Sequence, residues 1–264
     1  MDRIYSWLTK MVQPQAWGRL SQKWLGMIVL CLCLWSCSHP VQAENVDPKL
    51  KEQVLQIIRE NPQVILESVR AYEKEQQQAR EQQLKAFLND LKTKPDQVIG
   101  QSPVQGDRKN QILLVEFSDF QCPFCAKAHA ALEEVRQKSP DRFSVVFKHY
   151  PLTSIHDNAM PAAQAAWAAG QQGKFWQFHA ALFSRQKQLG EALYAQIAES
   201  LKLDMQKFNR DRASSAAAAA VNQDVALGEK IGINSTPSFF VSAEGIAIPI
   251  QFPDLINLLE KGSQ

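Results

Sequence analysis

Residues 112–138 read ILLVEFSDFQCPFCAKAHAALEEVRQK, and the rest of the chain is parsed outward from them. An apolar run rich in β-branched residues stops at Ser118 and Asp119, and a Cys-Pro-Phe-Cys then opens a helical pattern. That order is strand, loop, helix N-terminus. A thiol at the start of a helix faces unpaired backbone N–H groups and the positive end of the helix dipole, and both favour the thiolate. Cys122 is therefore the expected nucleophile. Cys125, one turn further in, is close enough to close a disulfide with it and is expected to be shielded. Pro123 sits where a missing N–H loses no helical hydrogen bond.

A lone CxxC is also half of a zinc site. Tetrahedral zinc needs four ligands, yet no second cysteine pair or HxxxH follows; His129 is a candidate third ligand or a surface residue. Ala126 after the pair excludes the c-type haem signature. The strand and helix on either side favour redox chemistry over metal binding. No cofactor beyond a Cys122–Cys125 disulfide is expected.

Of the five cysteines, three (Cys31, Cys33, Cys37) lie in the first 40 residues. Residues 1–43 read as a targeting segment. Arg3, Lys10, Arg19 and Lys23 precede the uncharged run WLGMIVLCLCLW, and Val41-Gln42-Ala43 resembles a small-residue cleavage site. The run is short against the roughly 20 apolar residues that span a bilayer. A cleaved signal peptide is expected. An uncleaved anchor is the second option, lipid attachment at Cys37 within Leu34-Trp35-Ser36-Cys37 a third, and translation from Met11 would shorten the leader. The full chain carries 29 Lys and Arg against 27 Asp and Glu; from Glu44 on, 25 basic and 26 acidic residues remain, a net charge of −1. Its basicity belongs to the leader, and no nucleic-acid footprint is left. Export to a periplasmic or equivalent lumenal space is an oxidising address, where a cysteine pair can hold a disulfide.

Residues 44–94 form a helical annex. Asp47-Pro48 and Asn61-Pro62 each read as an N-cap followed by proline at the first helical position. Leu50, Val54, Ile57 and Ile58 share one face; Ile65, Val69 and Tyr72 continue such a face in the second helix. EKEQQQAREQQ (73–83) is polar all round before Leu84, Phe87, Leu88 and Leu91 restore the pattern. Such a helix is either a solvated stalk or oligomerisation arm, or a brace on its own domain.

Pro95, Gly100, Pro103 and Gly106 mark a linker. After the catalytic strand and helix comes FSVVFK (143–148), a second strand, and then a helix-forming stretch over about 157–231. An apolar strand from Pro237, a turn at 243–245, a strand at 246–250 and a helix from about Pro253 complete the chain. The domain 95–264 thus reads as α/β, a thioredoxin-like fold with an inserted helical domain.

Four motifs carry a more specific likeness: VEFSDFQCPFC (115–125), FKHYPL (147–152), GKFWQFHAALF (173–183) and GINSTPSFFV (232–241). With them the chain, from about Val98 on, resembles the DsbA-like family of thiol-disulfide oxidoreductases. NPQVILESV (61–69) looks like the N-terminal segment of ScsC-type members, which implies self-association. The resemblance implies that Pro237 is cis and lies against the cysteine pair, where substrate backbone binds beside it. Thr236 is then the side chain nearest the pair. Without the resemblance, Pro237 is only a proline at the head of a strand. Glu116, six residues before Cys122, matches the buried acid of the family, a proton relay for Cys125. As a carboxylate inside ILLVEF it should titrate high if buried, and is an ordinary strand-end glutamate if exposed. Lys148 is its expected charge partner. His149 and His156 read as surface or helix-start residues. Phe175, Trp176, Phe178 and Phe183 read as core, with a share available to a peptide groove.

The function expected is disulfide formation in exported, thiol-containing or unfolded proteins, with a membrane redox partner resetting the pair. An oligomeric isomerase or reductase is the alternative. A copper-handling CxxC protein and a holdase are the readings from other classes.

Overall fold

The computed structural model describes residues 47–107 and 110–261. The leader, including Cys37 and the cleavage site, lies outside the described residues. The chain divides into two compact units, 1–69 and 70–264.

The first unit contains helix α1 (Pro48–Glu60) and the beginning of α2 (Pro62–Thr93). Asp47 caps α1 by accepting from the Lys49 N–H at 2.9 Å. Asn61 acts differently from expectation: its side chain donates back to the Ile57 carbonyl at 2.9 Å, closing the end of α1 instead of capping α2. Leu50, Val54, Ile57, Ile58, Val64 and Leu66 are all exposed.

The second unit is built on a five-stranded sheet in the order β1-β3-β2-β4-β5, with β1 (Val104–Gln105), β2 (Ile112–Ser118), β3 (Phe143–His149), β4 (Ser238–Ala243) and β5 (Ile246–Ile250). β2 and β3 are parallel and the other pairs antiparallel. Both central strands are buried along their whole length, which is why they read as mainly apolar without alternation. Their crossover is α4 (Pro123–Lys138).

Register decides which side chains share a face, because neighbours across a ladder point the same way. Glu116 stands opposite Phe147 and Phe239, whereas Phe117 stands opposite Lys148 and Ser238. On the Glu116 face, Leu114, Phe143, Val145 and Phe239 pack against Leu132 and Val135 of α4 and Leu255 and Leu259 of α10 (Phe252–Glu260). On the other face, Val115, Phe117, Val146 and Phe240 pack with Phe87 and Leu91 of α2 and with Val98 and Ile99 of α3 (Pro95–Ile99). The last turns of α2 therefore belong to this core, and the second compact unit begins at Arg70.

Between β3 and β4 the chain is helical throughout: α5 (Ala159–Gly170), α6 (Phe175–Ser184), a 3-10 turn (Gln186–Gln188), α7 (Glu191–Ser200), α8 (Met205–Arg212) and α9 (Ser215–Lys230). α5 buries seven alanines, side chains small enough to let neighbouring helices approach closely. Phe175, Phe178, Leu182 and Phe183 of α6 form its core together with Phe120, Phe147 and the two cysteines. None of the described helices is long and apolar enough to cross a membrane.

Candidate active site

β2 delivers the chain to a loop over 119–122, and Cys122 is the N-cap residue of α4 with Pro123 at the first helical position. Both cysteines are free and buried, Cys122 at 4% and Cys125 at 0% exposure. The Thr236–Pro237 peptide is cis. Cys122 Sγ donates to the Thr236 carbonyl at 3.3 Å. The contact of ordinary geometry from Thr236 is thus made by its backbone; its buried hydroxyl makes no hydrogen bond of that geometry among the described residues.

The two thiols are driven apart in acidity. Cys122 is lowered to about 5, first by the hydrogen bond from Cys125, against the opposing effect of burial. The Thr236 hydroxyl and the N–H groups of Cys125 and Phe124 lower it further, although no cap hydrogen bond of ordinary geometry closes on this sulfur. The Thr236 carbonyl can accept only from the thiol form, so ionisation frees it. Cys125 is raised strongly, by burial first, then by its hydrogen bond to Cys122 and the negative charge of Glu116. The Asp119 N–H, 3.5 Å from Cys125 Sγ, works in the opposite direction.

Glu116 is buried, and burial pushes its carboxyl up to about 7. Ser118 pulls it down, yet Glu116 Oε1 and Ser118 Oγ meet no hydrogen-bond partner of ordinary geometry among the described residues. Lys148 is not its charge partner. It stands in register with Phe117, so its side chain leaves the opposite face of the sheet, where Nζ pairs with Asp224 Oδ1 at 3.2 Å and donates to the Ile99 carbonyl at 3.4 Å.

Several histidines also lie elsewhere than expected. His149 closes β3 and is buried, held low at about 3 by burial and by the charge on Lys148. His129 is no free surface residue: its ring stacks on Phe183 at 5.2 Å between centroids and meets His179 edge-on at 4.9 Å. His156 Nδ1 lies 2.7 Å from Asp119 Oδ2. Two residues that hold the loop went unnoticed in the sequence, Asp119 and Gln186. Gln186 Nε2 donates to the carbonyls of Phe120 at 2.8 Å and Cys122 at 2.9 Å. The S-D-F-Q string before the cysteines was the available signal for Asp119, since aspartate before a tight loop commonly accepts from the backbone two residues on; Gln186 had none.

Beside the pair is a groove of about 520 Å³, lined by Phe124, Lys127, Thr236, Pro237, Phe239 and Phe252 among others. Phe124 is 66% exposed and Lys127 Nζ lies 5.6 Å from its ring centroid. The aromatic cluster of α6 faces inward instead, as core.

A family model described as thioredoxin matches residues 99–261, more than half of the chain. The chain belongs to the thioredoxin family. Among solved structures it is similar to a thioredoxin-like oxidoreductase from Silicibacter pomeroyi, at 30% identity and TM-score 0.54, covering 63% of this chain and 96% of that one. The thiol-disulfide exchange protein α-DsbA2 from Wolbachia pipientis shares the fold at 17% identity and TM-score 0.56, covering 67% and 96%. ScsC from Proteus mirabilis does so at 20% identity and TM-score 0.53, covering 81% and 95%. A curated relative, the Na(+)/H(+) antiporter NhaA 3 of Salinispora tropica, is 39% identical over 141 residues. That stretch is 53% of this chain and 21% of the antiporter, so the chain spans about a fifth of such a relative's length.

Proposed function

We propose that this thioredoxin-family protein is an exported thiol-disulfide oxidoreductase that forms disulfides in substrate proteins. The observation that carries the reading is the split between a Cys122 held low, to about 5, and a Cys125 held high beside it. A low Cys122 stabilises the reduced protein relative to its disulfide, which makes the oxidised form give up its bond readily.

In the oxidising direction a substrate thiolate attacks Cys122 Sγ of the oxidised pair. The new bond joins substrate sulfur to Cys122, the Cys122–Cys125 bond breaks, and its electron pair leaves on Cys125 Sγ. Cys125, the stronger base, takes a proton, for which Glu116 is the adjacent donor. The substrate's second thiolate then attacks its own bridged sulfur, its disulfide forms, and Cys122 departs as a thiolate. The groove along Phe124 and Pro237 offers apolar surface to unfolded chain, and a membrane redox partner is the expected source of reoxidation. The test is the equilibrium reduction potential of the purified protein against glutathione, with oxidation of a dithiol peptide as the activity. A potential near that of reducing thioredoxins, with no dithiol oxidation, would reverse the direction.

A second reading, disulfide isomerase or reductase, is favoured by one feature, the exposed apolar side chains of α1 and the start of α2. Such a face fits a second copy of the chain, and clustered active sites suit the search for wrong disulfides.

A further inference from the structure

Asp119 stands between the two cysteines in a way the CxxC motif does not encode. Its backbone carbonyl accepts from the Cys122 N–H at 3.1 Å, and its backbone N–H is directed at Cys125 Sγ at 3.5 Å. The backbone of this one residue therefore holds the amide of Cys122 and the sulfur of Cys125. What fixes Asp119 is its buried carboxylate. Oδ1 accepts from the Gln121 N–H at 2.7 Å; Oδ2 accepts from the Leu152 N–H at 2.8 Å and meets His156 Nδ1 at 2.7 Å. Gln121 and Leu152 contribute main-chain amides that any side chain at those positions would supply. His156 contributes a side chain, from the loop after β3, and is the one of the three partners that substitution can remove cleanly.

We propose that His156 is a positioning residue: through Asp119 it holds the Asp119 N–H against Cys125 Sγ, and so sets how readily Cys125 leaves as a thiolate. The inference rests on the assignment of Cys122 and Cys125 as the redox pair. When a substrate thiolate opens the disulfide at Cys122, the electron pair arrives on Cys125 in a buried site beside Glu116. A preorganised N–H aimed at the place where charge develops is worth most in such a setting, because nothing has to reorganise as the bond breaks. Cys122 draws its acidity from Cys125, Thr236 and the first turn of α4. Loosening Asp119 thus acts on the leaving sulfur and spares the attacked one.

The test uses the full chain with His156→Ala and His156→Asn, whose amide can place an N–H near the position of Nδ1. Three quantities are read: the rate at which glutathione thiolate opens the oxidised pair, the thiolate titration of Cys122, and the reduction potential. In His156→Ala the opening should slow by roughly tenfold, the factor equivalent to about 1.4 kcal/mol, with the Cys122 titration unmoved. His156→Asn should recover most of the rate. An unchanged opening rate in His156→Ala overturns the proposal, as does a Cys122 titration that moves with the rate, which would mean general loosening. Failure of the Asn variant to recover while remaining folded overturns it as well. A wild-type protein that does not exchange with glutathione at all would sink the redox assignment itself, an outcome visible before any variant is made.

Discussion

Lys148 Nζ and Asp224 Oδ1 are 3.2 Å apart in the interior, and Asp224 Oδ2 accepts the His149 N–H at 3.0 Å. Helix α9 is thereby tied to the end of β3, while Glu116, on the other face of the sheet, has no cation paired with it among the described residues. Removing Asp224 with Asp224→Ala leaves a buried ammonium without its anion, and breaking such a pair typically costs about 3 to 5 kcal/mol. Urea unfolding should report a loss of that size. The Glu116 titration should stay where it is, because no charge within its surroundings has changed.

Glu116 is the group whose replacement should gain stability where its carboxyl would be ionised and lose rate where its carboxyl is protonated and can donate. Its folded value of about 7 is above the unfolded one of 4.5. Between those values the folded chain binds more protons than the unfolded chain, so stability falls as pH rises through the window and levels off above it. The loss from this group is on the order of 3 kcal/mol at most, since each pH unit between the two values is equivalent to about 1.4 kcal/mol. Glu116→Gln should flatten that slope, measured by unfolding midpoints at a series of pH values. Stopped-flow oxidation of a dithiol peptide should slow in the same variant, with the Cys122 titration little changed.

The separation of the two thiols predicts the pH dependence of the reduction potential. Above about 5, Cys122 is ionised in the reduced protein and Cys125 stays protonated. Reduction then takes up two electrons and one proton, and the potential should fall by about 30 mV per pH unit; below that point it takes two protons and should fall by about 59 mV. Glutathione equilibria across the range check this. A slope of two protons persisting to pH 8 would mean that Cys122 is an ordinary thiol.

Truncations separate the arm from the core. Deleting residues through Val69 should leave a folded, redox-competent monomer, and the longer chain should self-associate by light scattering. Deleting through Lys94 should not be tolerated in the same way, since it removes Phe87 and Leu91, and losing a buried leucine alone costs about 2 to 5 kcal/mol.

The strand, the helix and the acidic cysteine were legible because each is a local statement: an apolar run, a proline at a helix start, a thiol at a dipole. Pro237 was placed by its surrounding motif. The misplacements share a different cause. Lys148 follows Phe147 directly, and a one-residue offset in register sends a side chain to the other face, so its place on the strand beside Glu116 did not bring the two together. Asn61 and His156 were read by residue type, yet Asn61 turned back to a carbonyl of the preceding helical turn, and His156 found a partner that only the chain's return path brings near. Phe87 and Leu91 carried the right periodicity, but periodicity does not name the surface that it covers.

Gln186 has a consequence for anyone recombining this protein with its relatives. Its amide, carried on the helical insertion, holds the carbonyls of Phe120 and Cys122, so the insertion is not an interchangeable cap on a self-sufficient thioredoxin module. A chimera that grafts foreign helices between β3 and β4 would need to bring a donor of the same reach, or the nucleophile's loop would lose the clamp on its Phe120 and Cys122 carbonyls. Swapping boundaries should therefore be drawn outside 118–238, keeping loop and clamp in one exchangeable block.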